Sequence, residues 1–579
     1  MQSTVQSTVQ PAPLHLDTGV LVIGAGGAGM YAAIEAARGG ASVVLADRSL
    51  IGRGGATVMA MMTVAVALGE ETPDDTAFHL ADTLAAGRGL CDERLARLLC
   101  EDGPACIRQL DAWGAGWARD GDSGNKIRAT HAPGHDRPRC VYVDFLNTGP
   151  AVSKTLRTAL HKEKAVRRIG DLLIVDLVGS GNAVTGAVGL DISSGSAVTI
   201  AADVTIIATG GLTRLYRRNS ASANMGGDGY ALALRAGARL IDMEFVQFFP
   251  IGHLAPRLIG LDPIMWDPFR YKLGGRLLNG QMEEFTSRYG TAEDGRYVVT
   301  RDVATYAITQ EVAAGRGSPH GGAYLSFMHV SDAALKEAFG PVIDKLAANG
   351  IDLTKMPVEV APIAHYHMGG IVVNERMETG VARLLAAGEA VGGANGANRL
   401  SGNAITEALV FGRRAGRTAA AMVSTGSAGR TFNASDAEAA LGLVAATGGS
   451  ARVVNTAAML AELQSVMSDD VGPFRTAAGL ERALGAISAL EARLGTLPPG
   501  APGAFDLSRL DWFDLRNMLL VARVVTAAAL LRTDSRGAHQ REDHPGMLET
   551  WCRNQFVSLE SGKPAITQGP LIVDTEAVA

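Results

Sequence analysis

No run of about eighteen consecutive apolar residues occurs in this chain, so nothing in it reads as a membrane-spanning helix. The nearest approach, MLLVARVVTAAALL at 518–531, contains Arg523 and reads as a buried helix. The first seventeen residues carry no positive charge and no apolar core, so they lack the layout of a secretory signal. Clusters of Lys and Arg are also missing, and the net charge is -6, which leaves no basic field for a nucleic-acid backbone. Cysteine is scarce: Cys91, Cys100, Cys106, Cys140 and Cys552 show no CxxC, CxxCH or Cys/His spacing for zinc, haem or an iron–sulfur cluster. They read as reduced packing residues, and any metal relay would sit on another subunit. These absences lead to the expectation of a soluble, cytoplasmic protein.

What remains is globular material, 579 residues with 47% hydrophobic content, too long for one core and expected to divide into domains. TGVLVI at 18–23 is strand-like and stops at GAGGAG. A helix-like MYAAIEAARGG and a second strand-like run, ASVVLAD, follow. Further strand-like segments fall at 171–178, 184–190 and 203–208, with Gly and Ser punctuation suited to hairpins. From Asp262 to about Val360 the texture turns aromatic and charged, with amphipathic stretches around 302–314 and 331–349. Glycine-rich sequence returns at 361–417, and leucine and alanine at helical spacing dominate 451–532.

The chemistry begins with Gly24, Gly26 and Gly29. They form a G-x-G-x-x-G between a strand and a helix, where bare backbone turns tightly and offers amides to a pyrophosphate. Such a pattern alone is weak. Asp47, at the end of the second strand, supplies the carboxylate that accepts hydrogen bonds from ribose hydroxyls. This unit suits FAD and NAD equally well.

GRGGA at 52–56, Thr209-Gly210-Gly211, GGDGYALALRAGA around Asp228 and LLAAGEAVGGANGANRLSGNAI at 384–405 add further loops, and RTDSRGAHQREDHP follows at 532–545. In this order they resemble the fumarate reductase and succinate dehydrogenase flavoprotein family, which includes L-aspartate oxidase and adenylylsulfate reductase. The resemblance extends through 18–420 and returns at 532–545.

The resemblance implies an α/β fold: a Rossmann-like FAD-binding domain with an inserted α+β capping domain and a C-terminal helical domain. The expected divisions are a disordered tail at 1–17, FAD-binding segments at 18–245 and 361–425, a cap at 246–360, and a helical domain and tail at 436–579. It assigns the cofactor contacts to Gly24, Ala25, Gly26, Gly27, Ala28, Gly29, Asp47, Arg48, Ser49, Gly54, Gly55, Asp228, Glu389, Ala404 and Ile405. Family members that attach FAD covalently use a histidine shortly after the second strand. No histidine lies between His15 and His79, so the expected FAD is non-covalent, which leans toward reductase chemistry.

At the substrate end, moving hydride beside a carboxylate requires cations or donors for the carboxylate and a group that manages a proton on the opposite face. TRDVATYAI at 300–308 resembles the family segment whose arginine carries the proton, which makes Arg301 and Asp302 the catalytic candidates. Taken alone, the two would read as a helix-start ion pair. His365 in HYHMGG and Arg399 in GANRLSGN match the family's carboxylate contacts. Their bland readings are a satisfied core histidine and a buried arginine paired with a loop carbonyl.

Phe249 in MEFVQFFP stands where family members acting on dicarboxylates carry a histidine. An unpaired buried carboxylate is costly, so fumarate itself is disfavoured. A monocarboxylate with an apolar or aromatic tail would suit Phe248, Phe249 and Trp266, whereas Arg270 with Lys272 would rebuild an anion site for a larger acid. The expected activity is FAD-dependent oxidoreduction at a CH–CH group, with electrons exchanged with a separate iron–sulfur or other electron-transfer subunit. The alternatives are an aspartate-oxidase-like oxidase, an adenylylsulfate-reductase-like enzyme and a non-catalytic relay subunit.

Overall fold

A computed structural model describes residues 14–120, 124–144, 146–180, 182–258, 264–266, 273–289, 301–426, 432–448 and 454–572, with backbone only at 180, 301, 302, 339 and 341. Arg270 and Lys272 lie outside the described residues.

Strand Leu14–Ile23 runs through the centre of a seven-stranded sheet, parallel to Val43–Ala46 on one side and to Ala197–Ile207 on the other. Residues 14–17, expected in the disordered tail, belong to this strand and pair with Val198–Ala201. Of these four residues only Leu16 is buried, so this end of the strand is largely exposed. Val166–Ile169 extends the sheet beyond Val43–Ala46, and the hairpin Leu172–Ser180 with Ala183–Asp191 flanks Ala197–Ile207 in antiparallel fashion. Much later in sequence, Leu384–Ala386 pairs in parallel with Thr205–Ile207, so the chain does return to the first sheet after the cap.

Helix Gly27–Arg38 covers this sheet and lies against helix Asn403–Ser424. Contact is at backbone distance: a Cβ on Gly412 would stand 2.4 Å from the Ala28 carbonyl oxygen, and one on Gly416 2.3 Å from that of Ala32. Glycine is required at both positions.

The cap is a four-stranded antiparallel sheet in the order Val246–Ala255, Val358–His367, Ala323–Ser326, Arg276–Leu278. It has its own core around Trp266, Leu325 and Phe327. The first stretch expected to be amphipathic forms helix Arg301–Ala313. The 331–349 stretch divides into Asp332–Phe339 and Pro341–Ala348, because Gly340 adopts φ 52° and Pro341 starts a new helix.

The C-terminal part comprises helices Ala434–Ala445, Thr456–Asp470, Ala477–Leu494 and Leu507–Leu531. It ends in a hairpin, Asn554–Glu560 with Lys563–Gly569, that pairs with Leu240–Ile241. The architecture is therefore α/β with an inserted cap and a C-terminal helical domain, whose last segment returns as strands. Among the described residues no helix is long and apolar enough to cross a membrane. Burial pushes the Cys100 and Cys106 thiols up to about 12 and about 11, the behaviour of inert packing residues.

Candidate functional site

The ends of the central strands and two helix N-termini enclose one elongated groove. Gly24, with φ 98°, takes the chain out of the first strand; any Cβ there would lie 2.4 Å from the Ala208 carbonyl oxygen. Gly29 is closer still, since its Cβ would stand 1.8 Å from the oxygen of Gly24. Gly26 differs: an added Cβ meets no protein atom within 4 Å, so the chain leaves that space open at the start of helix Gly27–Arg38. The helix start has no side-chain cap. A dinucleotide pyrophosphate suits both the vacant space and the positive helix end.

Asp47 stands beside it. Its carboxylate accepts from the Ala25 amide at 2.7 Å and from the amide and hydroxyl of Ser49, each at 2.8 Å. Burial raises its pKa against the pull of those donors. Opposite, helix Asn403–Ser424 begins after Gly402, at φ 85°, again without a side-chain cap, and presents Ala404 and Ile405 to the groove. Glu389 lines the same groove, half-buried. It accepts from the His367 amide at 3.1 Å, and burial pushes its carboxyl up to about 8. Gly54, Gly55, Thr57, Thr209 and Gly210 complete the walls.

Three expected cofactor residues stand one layer back. Arg48 chelates Asp514 through bonds of 2.5 and 2.8 Å and lies 3.5 Å from Asp228. Ser49 holds Asp47 and accepts from Asn224. Asp228, in the first turn of Asp228–Arg235, lines a small cavity that adjoins the groove at Gly24 and Asp47, and burial raises its pKa. Arg214 also bonds Asp514. The sequence reading missed Asp514 and Arg214, since nothing local marks a partner 466 residues away.

At the far end of the groove His365 joins the lining beside Ser220 and Met265. Its Nδ1 lies 2.7 Å from the Ser220 hydroxyl, and its ring meets Phe249 edge-on at 5.5 Å. Phe249 is buried against Met265 and Ile363. Trp266, expected near the substrate, instead lies fully buried in the cap core, its indole N–H donating to His253. Met265 takes the lining position.

Arg399 is buried behind Tyr366, its guanidinium 4.7 Å from the ring centroid. It donates to Gln247 Oε1 at 2.9 Å and to the Leu400 carbonyl at 3.0 Å, so the loop-carbonyl contact is present. His365 thus lines the groove while Arg399 lies buried on the ring of the next residue, Tyr366, so the two are not brought to one open surface. The Tyr366 hydroxyl donates to Glu407, which also accepts from Asn395 at 2.7 Å. Burial pushes the Glu407 carboxyl up to about 7. Sequence reasoning passed over Tyr366 although it adjoins His365 in HYHMGG. Arg301 opens helix Arg301–Ala313, with Asp302 next to it; their side chains lie outside the described residues.

Comparison with known proteins agrees with this geometry. The family description "FAD binding domain" matches residues 19–405, and "Fumarate reductase flavoprotein C-term" matches 460–578. The chain is 36% identical to one of the subunits of the fumarate reductase (CoM/CoB) of Methanothermobacter marburgensis, over 92% of this chain and 96% of that one. It is 33% identical to an L-aspartate oxidase of Streptomyces coelicolor, over 96% and 94% of the two chains. Among solved structures, Mycobacterium smegmatis Sdh1 in complex with UQ1 superimposes with TM-score 0.88 at 33% identity, covering 96% of this chain and 95% of that one. With the groove, the two open helix ends and these relatives in agreement, the chain is an FAD-dependent oxidoreductase and belongs to the fumarate reductase and succinate dehydrogenase flavoprotein family.

Proposed function

We propose that the protein moves hydride between non-covalently bound FAD and a carbon adjacent to a carboxylate, across a carbon–carbon bond of an organic acid other than fumarate, and exchanges electrons with a separate redox subunit. The observation that carries this is the placement of His365 in the groove wall with Arg399 directly behind Tyr366. A histidine in the groove wall and a forked cation stacked on the ring of the next residue are the kinds of donor that a carboxylate requires.

In this reading Gly24, Ala25, Gly26, Gly27, Ala28 and Gly29 cradle the pyrophosphate, and Asp47 takes the ribose. Arg48, Ser49 and Asp228 hold that corner in place, Gly54 and Gly55 give the backbone close approach, and Glu389, Ala404 and Ile405 meet the flavin half. When bound, the isoalloxazine supplies the hydride-accepting or hydride-donating centre. His365 and Arg399 orient the carboxylate, while Phe249 removes the donor that a second carboxylate would need. Arg301 and Asp302 move the proton on the opposite face, and Arg270 is assigned to substrate binding on the sequence alone.

The five cysteines lack cluster spacing, so an iron–sulfur relay would be carried by another chain; the Methanothermobacter relative is itself one subunit of an enzyme. A second reading, an oxygen-using amino-acid oxidase, draws on the identity to the Streptomyces coelicolor L-aspartate oxidase.

The test is spectroscopic. Reduced holoprotein is mixed anaerobically with enoates, and oxidised holoprotein with saturated acids and L-aspartate. Oxidation of the flavin by an enoate, without hydrogen peroxide in air, is the expected result. Peroxide release with L-aspartate selects the second reading, and an unchanged spectrum with every acid rejects both.

A further inference from the structure

A second cavity, of about 420 Å³, opens between the cap helix Arg301–Ala313 and the C-terminal segment 535–546. Its lining includes the aromatic rings of Phe248, Tyr289, Tyr306 and Phe474 together with polar side chains, Gln247, Asn398 and Glu542 among them. The rings interlock edge-to-face: Tyr306 stands 4.8 Å from Phe474 and 5.8 Å from Tyr289. Across the opening, Gln310 on the cap helix donates to Glu542 at 2.8 Å. The one cation in the described lining, Arg541, is already committed: its guanidinium bonds both oxygens of Asp543 and the carbonyls of Ala529, Leu530 and Arg532.

Gln247 ties this cavity to the groove. Its side chain lines the cavity, accepts from Arg399 and donates to Asn398, while its backbone registers opposite Tyr366. Arg399 therefore stands between the two spaces, against Tyr366 of the groove and on Gln247 of the cavity. A chamber of aromatic edges with no uncommitted cation in its described lining is matched by a planar apolar group and mismatched by a second carboxylate.

We propose that this cavity is the specificity pocket of the enzyme and receives an aryl or comparably broad apolar group of an organic acid whose carboxylate lies at Arg399. The assignment rests on the reading of Arg399 as the carboxylate clamp. Cinnamate, crotonate and fumarate serve as probes with dithionite-reduced holoprotein under anaerobic conditions, and 3-phenylpropanoate serves as the binding probe by calorimetry.

Cinnamate is expected to oxidise the flavin with kcat/KM about tenfold or more above crotonate. Tyr306→Ala and Phe474→Ala should each lower the cinnamate-to-crotonate ratio about tenfold. A preference for fumarate or crotonate, or an unchanged ratio in both variants, overturns the pocket while leaving carboxylate chemistry intact. If no acid reacts, the reaction assignment fails and calorimetry decides the pocket alone: binding of 3-phenylpropanoate that Phe474→Ala abolishes upholds it, and absent or unaltered binding overturns it. Phe474→Leu, which keeps the bulk, separates loss of the ring from loss of the fold.

Discussion

Arg399 and Tyr366 form one unit, the guanidinium lying 4.7 Å from the centroid of a ring whose hydroxyl is anchored on Glu407. The guanidinium donates to Gln247 and to the Leu400 carbonyl, and in the proposed reading the substrate carboxylate takes the place of Gln247 as acceptor. Arg399→Lys keeps the charge but loses the planar pair of donors. The expected loss is about 2 kcal/mol, roughly thirtyfold in kcat/KM on the reactive acid, with flavin absorbance per chain unchanged. Equal activity of the lysine variant would remove Arg399 from the site.

The glycines of the first turn separate folding from cofactor binding. Gly26→Ala places a methyl in open space, so apoprotein stability should hold while FAD affinity falls about tenfold or more. Gly29→Ala forces a Cβ to 1.8 Å from a carbonyl oxygen, and should cost the apoprotein about 1–3 kcal/mol or more. Urea unfolding of the two apoproteins, beside FAD titration by fluorescence quenching, gives the comparison.

Breaking the buried cluster at Asp514 should be costly far from the groove. Asp514→Asn leaves Arg48 and Arg214 without their shared carboxylate, and about 3–5 kcal/mol is the expected destabilisation. A change below about 1 kcal/mol in the unfolding free energy would show the cluster to be slack.

Stability should depend on pH with a maximum near the histidine range. Burial lowers His79, His135 and His367 to about 4, so their contribution is complete above the unfolded value of 6.5 and is lost as pH falls through that window. Glu407 and Glu389 are raised from 4.5 to about 7 and about 8, so their contribution is complete below 4.5 and is lost as pH rises. Between 4.5 and 6.5 the two sets oppose each other, with Asp242, raised to about 7, joining the carboxyls and His539, lowered by burial, joining the histidines; above 6.5 the carboxyls titrate. Melting temperature should therefore fall from pH 6.5 to 8, and Glu407→Gln should flatten that arm.

Acid precipitation should release the flavin into the supernatant as FAD. A yellow pellet would place the cofactor in covalent linkage and overturn the reading drawn from the missing histidine between His15 and His79.

The groove was legible in sequence wherever the backbone itself is the functional group. Glycine leaves a signature at Gly24 and Gly29 because no other residue fits, and Asp47 follows at fixed distance. Side-chain direction was less legible. Met265 and Trp266 are neighbours, yet one faces the groove and the other the cap core, and composition does not tell which. The terminal hairpin did carry a local mark, the Ser561-Gly562 pair with φ of 51° and 78°, which suits a two-residue turn. It was hidden by the helical texture before it. The bond between Arg48 and Asp514 has no local mark at all, since it exists only after the helical domain has packed on the sheet.

The crossing of Gly412 on Ala28 and Gly416 on Ala32 leaves no slack for one helix to slide or roll past the other. The two helix starts that face the groove are consequently a single rigid jaw, shaped by the polypeptide before any ligand arrives. On the other side the cap helix and the C-terminal segment meet through the hydrogen bond from Gln310 to Glu542, a far slighter contact than the backbone-close crossing of the two helices.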